Sequence, residues 1–281
     1  MINTKILKGM KISFRTITIY ATILATALVI LASCKKDNQP NNGGENPPPE
    51  VNAVVKASSG DSLGVVGKIN EFRTLLGDPL NTAPGAVDGR REVNWDAVPA
   101  AFTNLNNFPS DFFGSSDPAL GNARKRGLIL QNTGTSFRVD STNFSDVEPT
   151  YANQFEAFSK KRLFTYMGNN ITEITFKVPG TNIDAFIKGF GVVFTDVDVA
   201  NSTSIAYFTA TKSLGLFNSP VRTGTGSFSF LGVNFPDEKV TKVRITSGNG
   251  LLGTGIKDIT DGGNKDLVVM DDFFYTEPKS N

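Results

Sequence analysis

The sequence predicts an all-β fold, an antiparallel β-sandwich that is jelly-roll-like with short helical insertions. Three observations lead there. Short apolar and β-branched segments alternate with turn residues, among them Asn218-Ser219-Pro220, Gly224-Thr225-Gly226, Asn249-Gly250 and Asp261-Gly262-Gly263. From Glu173 to Val178, Ile174, Phe176 and Val178 alternate with Glu173, Thr175 and Lys177, the period of a half-buried strand. The 22 phenylalanines suit the filling between two sheets, and no long helical pattern suggests βαβ units.

Taken in order, the chain opens with an uncharged run, Thr16 to Ser33, after a basic start at Lys5, Lys8, Lys11 and Arg15. A polar stretch, DNQPNNGGENPPPEV, follows from Asp37; it cannot bury a core and reads as a tether with an extended triple-proline segment. The expected division is a signal segment over 1–33, a linker over 34–53 and one sandwich domain over 54–278, with strands mainly over 126–276. Val65, Ile69, Phe72, Leu75 and Leu76 have helical spacing, interrupted by Gly67. Gly77 to Arg91, rich in Gly and Pro, reads as a loop. Gly127–Gln131 and Ser136–Val139 flank Asn132-Thr133-Gly134 as a candidate hairpin. Tyr151 to Phe164 reads as a short helical or irregular crossing. Phe186 to Val199 is a long apolar run and a candidate central strand, with Gly189 and Gly191 permitting a bulge or close packing. Segments 204–210, 212–217, 227–231, 240–246 and 266–276 complete the strands.

Composition excludes several chemistries. There is no histidine, so no Ser-His-Asp or Cys-His arrangement and no histidine zinc site can form. The single cysteine, Cys34, leaves no disulfide and no cysteine nucleophile in the domain. Without residues 1–33 the chain carries 24 basic and 27 acidic residues, net −3, which points away from nucleic acid. Arg124-Lys125-Arg126, the one basic cluster, reads as a solvated turn.

Leu31-Ala32-Ser33-Cys34 closes the apolar run and resembles the lipobox of bacterial lipoproteins of the Bacteroidetes type. That resemblance implies cleavage before Cys34, lipidation of Cys34 with diacylglycerol on its thiol (and palmitate as a lipid of the anchor), and a protein held to the membrane of the cell envelope through that lipid, in the outer membrane with surface display. The rival is an uncleaved helix, since about 18 residues span about 27 Å. GRREVNWDAVP, GFGVVFTDVD and DLVVMDDFFYTEP resemble segments of a group of uncharacterised secreted bacterial β-sandwich proteins, some of which end in a sorting signal. The resemblance covers roughly residues 88–278, implies an extracellular sandwich, and carries no catalytic residues.

Candidate sites come from oxygen ligands. Glu92, Asn94 and Asp96 share one parity, so a strand would place three oxygens on one face. Asp271 and Asp272 on the last strand could complete a structural Ca2+ site, although adjacent residues should point to opposite faces. Asp196 and Asp198 could hold a cation or form an acid/base pair. Trp95, the only tryptophan, could stack a sugar if exposed or fill core if buried. The bland alternative is that these acids are solvated, ion-paired or in turns. The favoured function is a non-catalytic module that binds glycan or another surface component. The alternatives are a structural or adhesion protein with a protein partner, and a carboxylate-based glycan-active enzyme.

Overall fold

The computed structural model describes residues 51–131 and 137–281. The lipobox with Cys34, most of the tether and the turn at 132–134 lie outside the described residues. The chain from Glu50 to Asn281 clusters as one compact unit.

Among the described residues, thirteen strands and one α-helix follow in order: β1 (Val54–Gly60), α1 (Ser62–Leu76), β2 (Arg90–Val93), β3 (Leu128–Gln131), β4 (Phe137–Asp140), β5 (Leu163–Tyr166), β6 (Ile171–Lys177), β7 (Asp184–Ala185), β8 (Gly189–Thr195), β9 (Ser204–Phe208), β10 (Ser213–Asn218), β11 (Phe228–Asn234), β12 (Lys242–Thr246) and β13 (Val269–Thr276). They form an antiparallel sandwich. One sheet runs β1-β11-β8-β13-β5-β4, with β2 beside β13; the other runs β10-β9-β12-β6-β3, with β7 beside β6.

The two sheets differ in how they meet water. In the first, β8, β11 and almost all of β13 are buried on both faces, which is why they read as continuous apolar runs. Phe190, Val192 and Phe194 face the inter-sheet core, whereas Val193 faces the helix. In the second sheet, β6 and β12 alternate buried with partly open positions, so one face is left open. That open face carries a groove of about 830 Å3.

Helix α1 covers the first sheet for a local reason. Asp61 caps it, its carboxylate accepting from the Gly64 amide at 2.7 Å. Val65, Ile69, Phe72 and Leu76 then recur on one buried face. Gly191 and Gly232 are cross-strand partners, and a Cβ on either would lie within 3.0 Å of the Phe72 ring. The two glycines make the depression that seats this phenylalanine, the close packing foreseen at Gly191.

Four expectations change. β3 and β4 do not form a hairpin: β3 pairs with β6 and β4 with β5, in different sheets. The segment 54–60, whose weak alternation hid it, is a full edge strand paired along its length with β11. Val51 and Ala53, assigned to the linker, pack against the core. Arg124, Lys125 and Arg126 are half-buried and do not form a solvated turn.

Candidate functional site

Three places gather chemistry-bearing side chains. The first is the bulge of β13. Along one side of this strand the neighbour changes from β5, paired at Met270, to β2, paired from Phe273 onward. Met270 and Phe273 both face the inner core, so Asp271-Asp272 between them is a bulge. This corrects the expectation that the two aspartates point to opposite faces. The Ser159 hydroxyl lies 3.0 Å from Asp271 Oδ1 and 2.6 Å from Asp272 Oδ1, bridging the two carboxyls. Burial, then the neighbouring Asp272 charge, raises Asp271 well above the usual carboxylate range; burial raises Asp272 as well. A charge on one carboxyl thus disfavours ionisation of the other.

Trp95 closes that bulge. It is 1% exposed, and its indole N–H donates to the Asp271 carbonyl at 2.8 Å, satisfying an oxygen that the strand switch frees from the ladder. Its ring stacks on Phe164 at 4.1 Å and meets Phe273 and Phe113 edge-on. The core reading of Trp95 therefore holds, and sugar stacking on its face is excluded by burial. Its backbone has φ 63°, costly for a bulky residue, at about 1–3 kcal/mol, and held by the packing around the indole.

The expected ligand set on β2 is occupied by protein. The Glu92 carboxylate receives Arg73 Nε at 2.9 Å and Nη2 at 2.7 Å, plus Arg90 Nε at 2.9 Å. Asp96 Oδ1 accepts the Lys161 amide at 3.0 Å, and Asn94 is exposed. Glu92, Asp96, Asp271 and Asp272 do not converge. Among the described residues, the three acid side chains whose oxygens fall within 4.8 Å of one another are Asp196, Asp198 and Asp258.

That cluster is the second place, at the end of β8. Asp196 adopts φ 72°, a left-handed conformation aspartate tolerates, which turns the chain so that Asp196 and Asp198 meet one guanidinium. Arg222 donates through Nη1 to Asp196 and through Nε to Asp198 at 2.5 Å. Asp258 is fixed from its own turn, accepting the Thr260 amide at 2.7 Å and the Leu267 amide at 2.9 Å. Asp266 accepts the amides of Asp198 and Val199, each at 3.1 Å. Sequence reading missed Asp258, Asp266 and Arg222, because 24 to 68 positions separate them from Asp198. The one local hint is Asp258-Ile259-Thr260, an aspartate capping a short turn.

Arg222 fills the place a cation would take. Asp198 Oδ2 is the one buried carboxylate oxygen there without a donor, far from the six to eight oxygens that calcium takes. Burial, then the Asp258 charge, pushes Asp198 up to about 7. The folded chain thus keeps a proton that the unfolded chain releases near pH 4. This contribution to stability is complete below about pH 4 and is lost as pH rises to about 7. Asp198→Asn is expected to flatten the fall of unfolding free energy over that window, by at most about 1.4 kcal/mol per pH unit. Urea melts at pH 4, 5.5 and 7 measure it. Millimolar calcium is expected to leave the midpoint unmoved at pH 7.5; an upward shift lost in Asp198→Asn would place a cation there instead.

No known protein family, curated protein or solved structure matches this chain.

The third place is a groove of about 830 Å3 on the open face of the second sheet. Gln131, Thr175, Phe208, Thr209, Thr241 and Lys242 line it. Gln131 Nε2 donates to the Thr175 hydroxyl at 2.7 Å, which fixes the orientation of both groups. Its charges are paired: Lys177 with Asp184 at 2.5 Å, Lys212 with Glu238 at 2.7 Å, and Lys242 with Glu173 at 3.5 Å. The groove thus offers hydroxyls, amides and the rings of Phe176 and Phe208, with little net field. Lys242 Nζ lies 4.7 Å from the Phe208 ring centre.

Proposed function

We propose that the chain is a lipid-anchored, non-catalytic binding module of the cell envelope, and that the open face of its second sheet holds a neutral, polyhydroxylated ligand such as a glycan. The observation that carries this reading is the 830 Å3 groove, whose lining combines hydroxyls, amides and charges that are already ion-paired. A large cleft with convergent polar groups is the usual form of a ligand site. Hydroxyl and amide groups match sugar hydroxyls as both donors and acceptors. The paired charges leave no strong field to select an ion.

Two further observations bear on the alternatives. The close carboxyl pairs that an acid/base glycosidase would need are sealed inside, with Asp271 and Asp272 1% and 6% exposed, or locked on Arg222. The most exposed large apolar side chains, Leu63, Ile183, Val87 and Leu216, come from the helix, a turn, a loop and an edge strand, and not from one sheet face. Among the described residues no helix is long and apolar enough to cross a membrane. Attachment is assigned to Cys34 through the lipobox resemblance.

A glycan-array screen with residues 50–281, followed by calorimetry on the hits, tests the binding half. Phe208→Ala and Gln131→Ala are each expected to weaken binding by about tenfold or more without changing the melting temperature. An array without hits, or hits indifferent to both substitutions, removes the glycan reading. Labelled palmitate incorporated by the full chain and lost in Cys34→Ala tests the anchor.

A further inference from the structure

We propose that the small cleft beneath the 94–99 loop is a second binding site, for a small organic monocarboxylate with an aromatic or branched aliphatic body. The cleft has a volume of about 220 Å3 and shares no lining residue with the groove on the open sheet. Trp95, Val98, Phe112 and Phe113 give it apolar walls, and Arg124 and Arg126 stand on its lining. At that size, below the roughly 300–1,000 Å3 of drug-sized pockets, it takes a ring or a short acyl chain and not an oligosaccharide.

The arginines carry the argument. Six of the nine described arginines, Arg73, Arg90, Arg91, Arg138, Arg222 and Arg244, are ion-paired with a carboxylate. Three have no carboxylate partner among the described residues, and two of those line this cleft. Arg124 spends one N–H on the Phe112 carbonyl at 2.8 Å and lies 3.7 Å over the Phe112 ring. Arg126 spends one on the Asn81 carbonyl at 3.0 Å. The remaining donors of both side chains have no acceptor among the described residues. Burial, with repulsion from Arg91, pulls the Arg126 guanidinium below its ordinary range, the mark of a cation lacking a counter-charge.

Glu92, the acid at the same cleft, cannot supply that counter-charge, since Arg73 and Arg90 hold both of its oxygens. The third unpaired arginine, Arg162, donates to the carbonyls of Asp96 and Val98 and fixes the loop that roofs the cleft. Two planar, half-buried guanidiniums without acids beside an aromatic floor are complementary to an apolar body ending in a carboxylate. The fork matches the planar anion through paired N–H donors. Aromatic and aliphatic walls exclude water from the remainder of the ligand.

The chain supplies its own reporter, because Trp95 is the only tryptophan and forms part of the cleft wall. Phenylacetate and isovalerate are titrated into residues 50–281 at pH 7 and low salt, with phenylacetamide as the uncharged control. A saturable change in tryptophan emission with an upward melting shift is expected for the carboxylates. The amide should bind about tenfold or more weakly, and Arg124→Gln and Arg126→Gln should each cost a similar factor. Near-UV circular dichroism checks that each variant keeps its packing. Should Arg126→Gln not fold, Arg124→Gln reads the same site. Absence of saturation up to about 10 mM, an amide equal to its acid, or affinity unmoved in the folded arginine variants overturns the proposal.

Discussion

Glu277→Ala is expected to lower the unfolding free energy by about 3–5 kcal/mol, a large fraction of the roughly 5–15 kcal/mol of a typical domain. Arg91 on β2 and Glu277 just past β13 form a bidentate pair, Nε to Oε2 at 2.8 Å and Nη2 to Oε1 at 2.7 Å, with both side chains sealed from water. Asn81 adds a donor to Glu277 Oε2 at 2.8 Å, and Arg91 reaches the Ala83 carbonyl at 2.9 Å. Nη1 of Arg91 has no partner, so the pair is already under-satisfied. Truncating the glutamate leaves a guanidinium buried without counter-charge, and that penalty exceeds the worth of the bridge. The pair ties the 80–91 loop to the last strand, so the damage should appear as loss of cooperativity at the β2 edge. Replacing both partners, Arg91→Met with Glu277→Leu, should recover most of the loss. Urea denaturation of the two variants decides; a loss below about 1 kcal/mol for Glu277→Ala would show that the loop opens to solvate the arginine.

Trp95→Ala should cost about 3–5 kcal/mol, the range for deleting a large buried aromatic. The indole fills the space among Phe108, Phe113, Phe164 and Phe273 and caps the carbonyl freed at the β13 bulge. Trp95→Phe separates these roles. It keeps most of the apolar volume and removes the N–H, so about 1–3 kcal/mol is expected from the orphaned Asp271 oxygen. Equal losses for the two variants would assign the whole effect to the hydrogen bond. A negligible loss for phenylalanine would mean that water reaches the carbonyl.

Much of the fold was legible because it rests on local periodicity. The alternation of 173–178 is β6, the apolar run from Phe186 contains the central strand β8, and the spacing of Val65, Ile69, Phe72 and Leu76 is the buried face of α1. β1 was not legible: VVKASSG has little alternation, since its residues are held by pairing with β11 and contact with α1, both set elsewhere in the chain. The supposed hairpin around 132–134 failed for a related reason. A turn signal says that the chain can reverse, and not which sheet receives the next strand.

The candidate sites divide the same way. Asp196 and Asp198 were identifiable from their spacing, but their partner Arg222 and the acids Asp258 and Asp266 come from other loops. Asp271 and Asp272 were expected on opposite faces because a regular strand has a period of two; the switch of neighbour from β5 to β2 inserts a bulge that brings them together. The sequence by itself determined the absence of histidine chemistry, the all-β class, the apolar segment ending at Cys34 and the helical stripe. Each follows from residue type or from spacings of a few positions, where backbone geometry dictates which side chains share a face. Only the tertiary structure decided which acids are paired, which arginines are left without one, and which sheet face stays open. Those depend on contacts between residues up to 196 positions apart, whose meeting is set by the packing of the two sheets and carries no local signature.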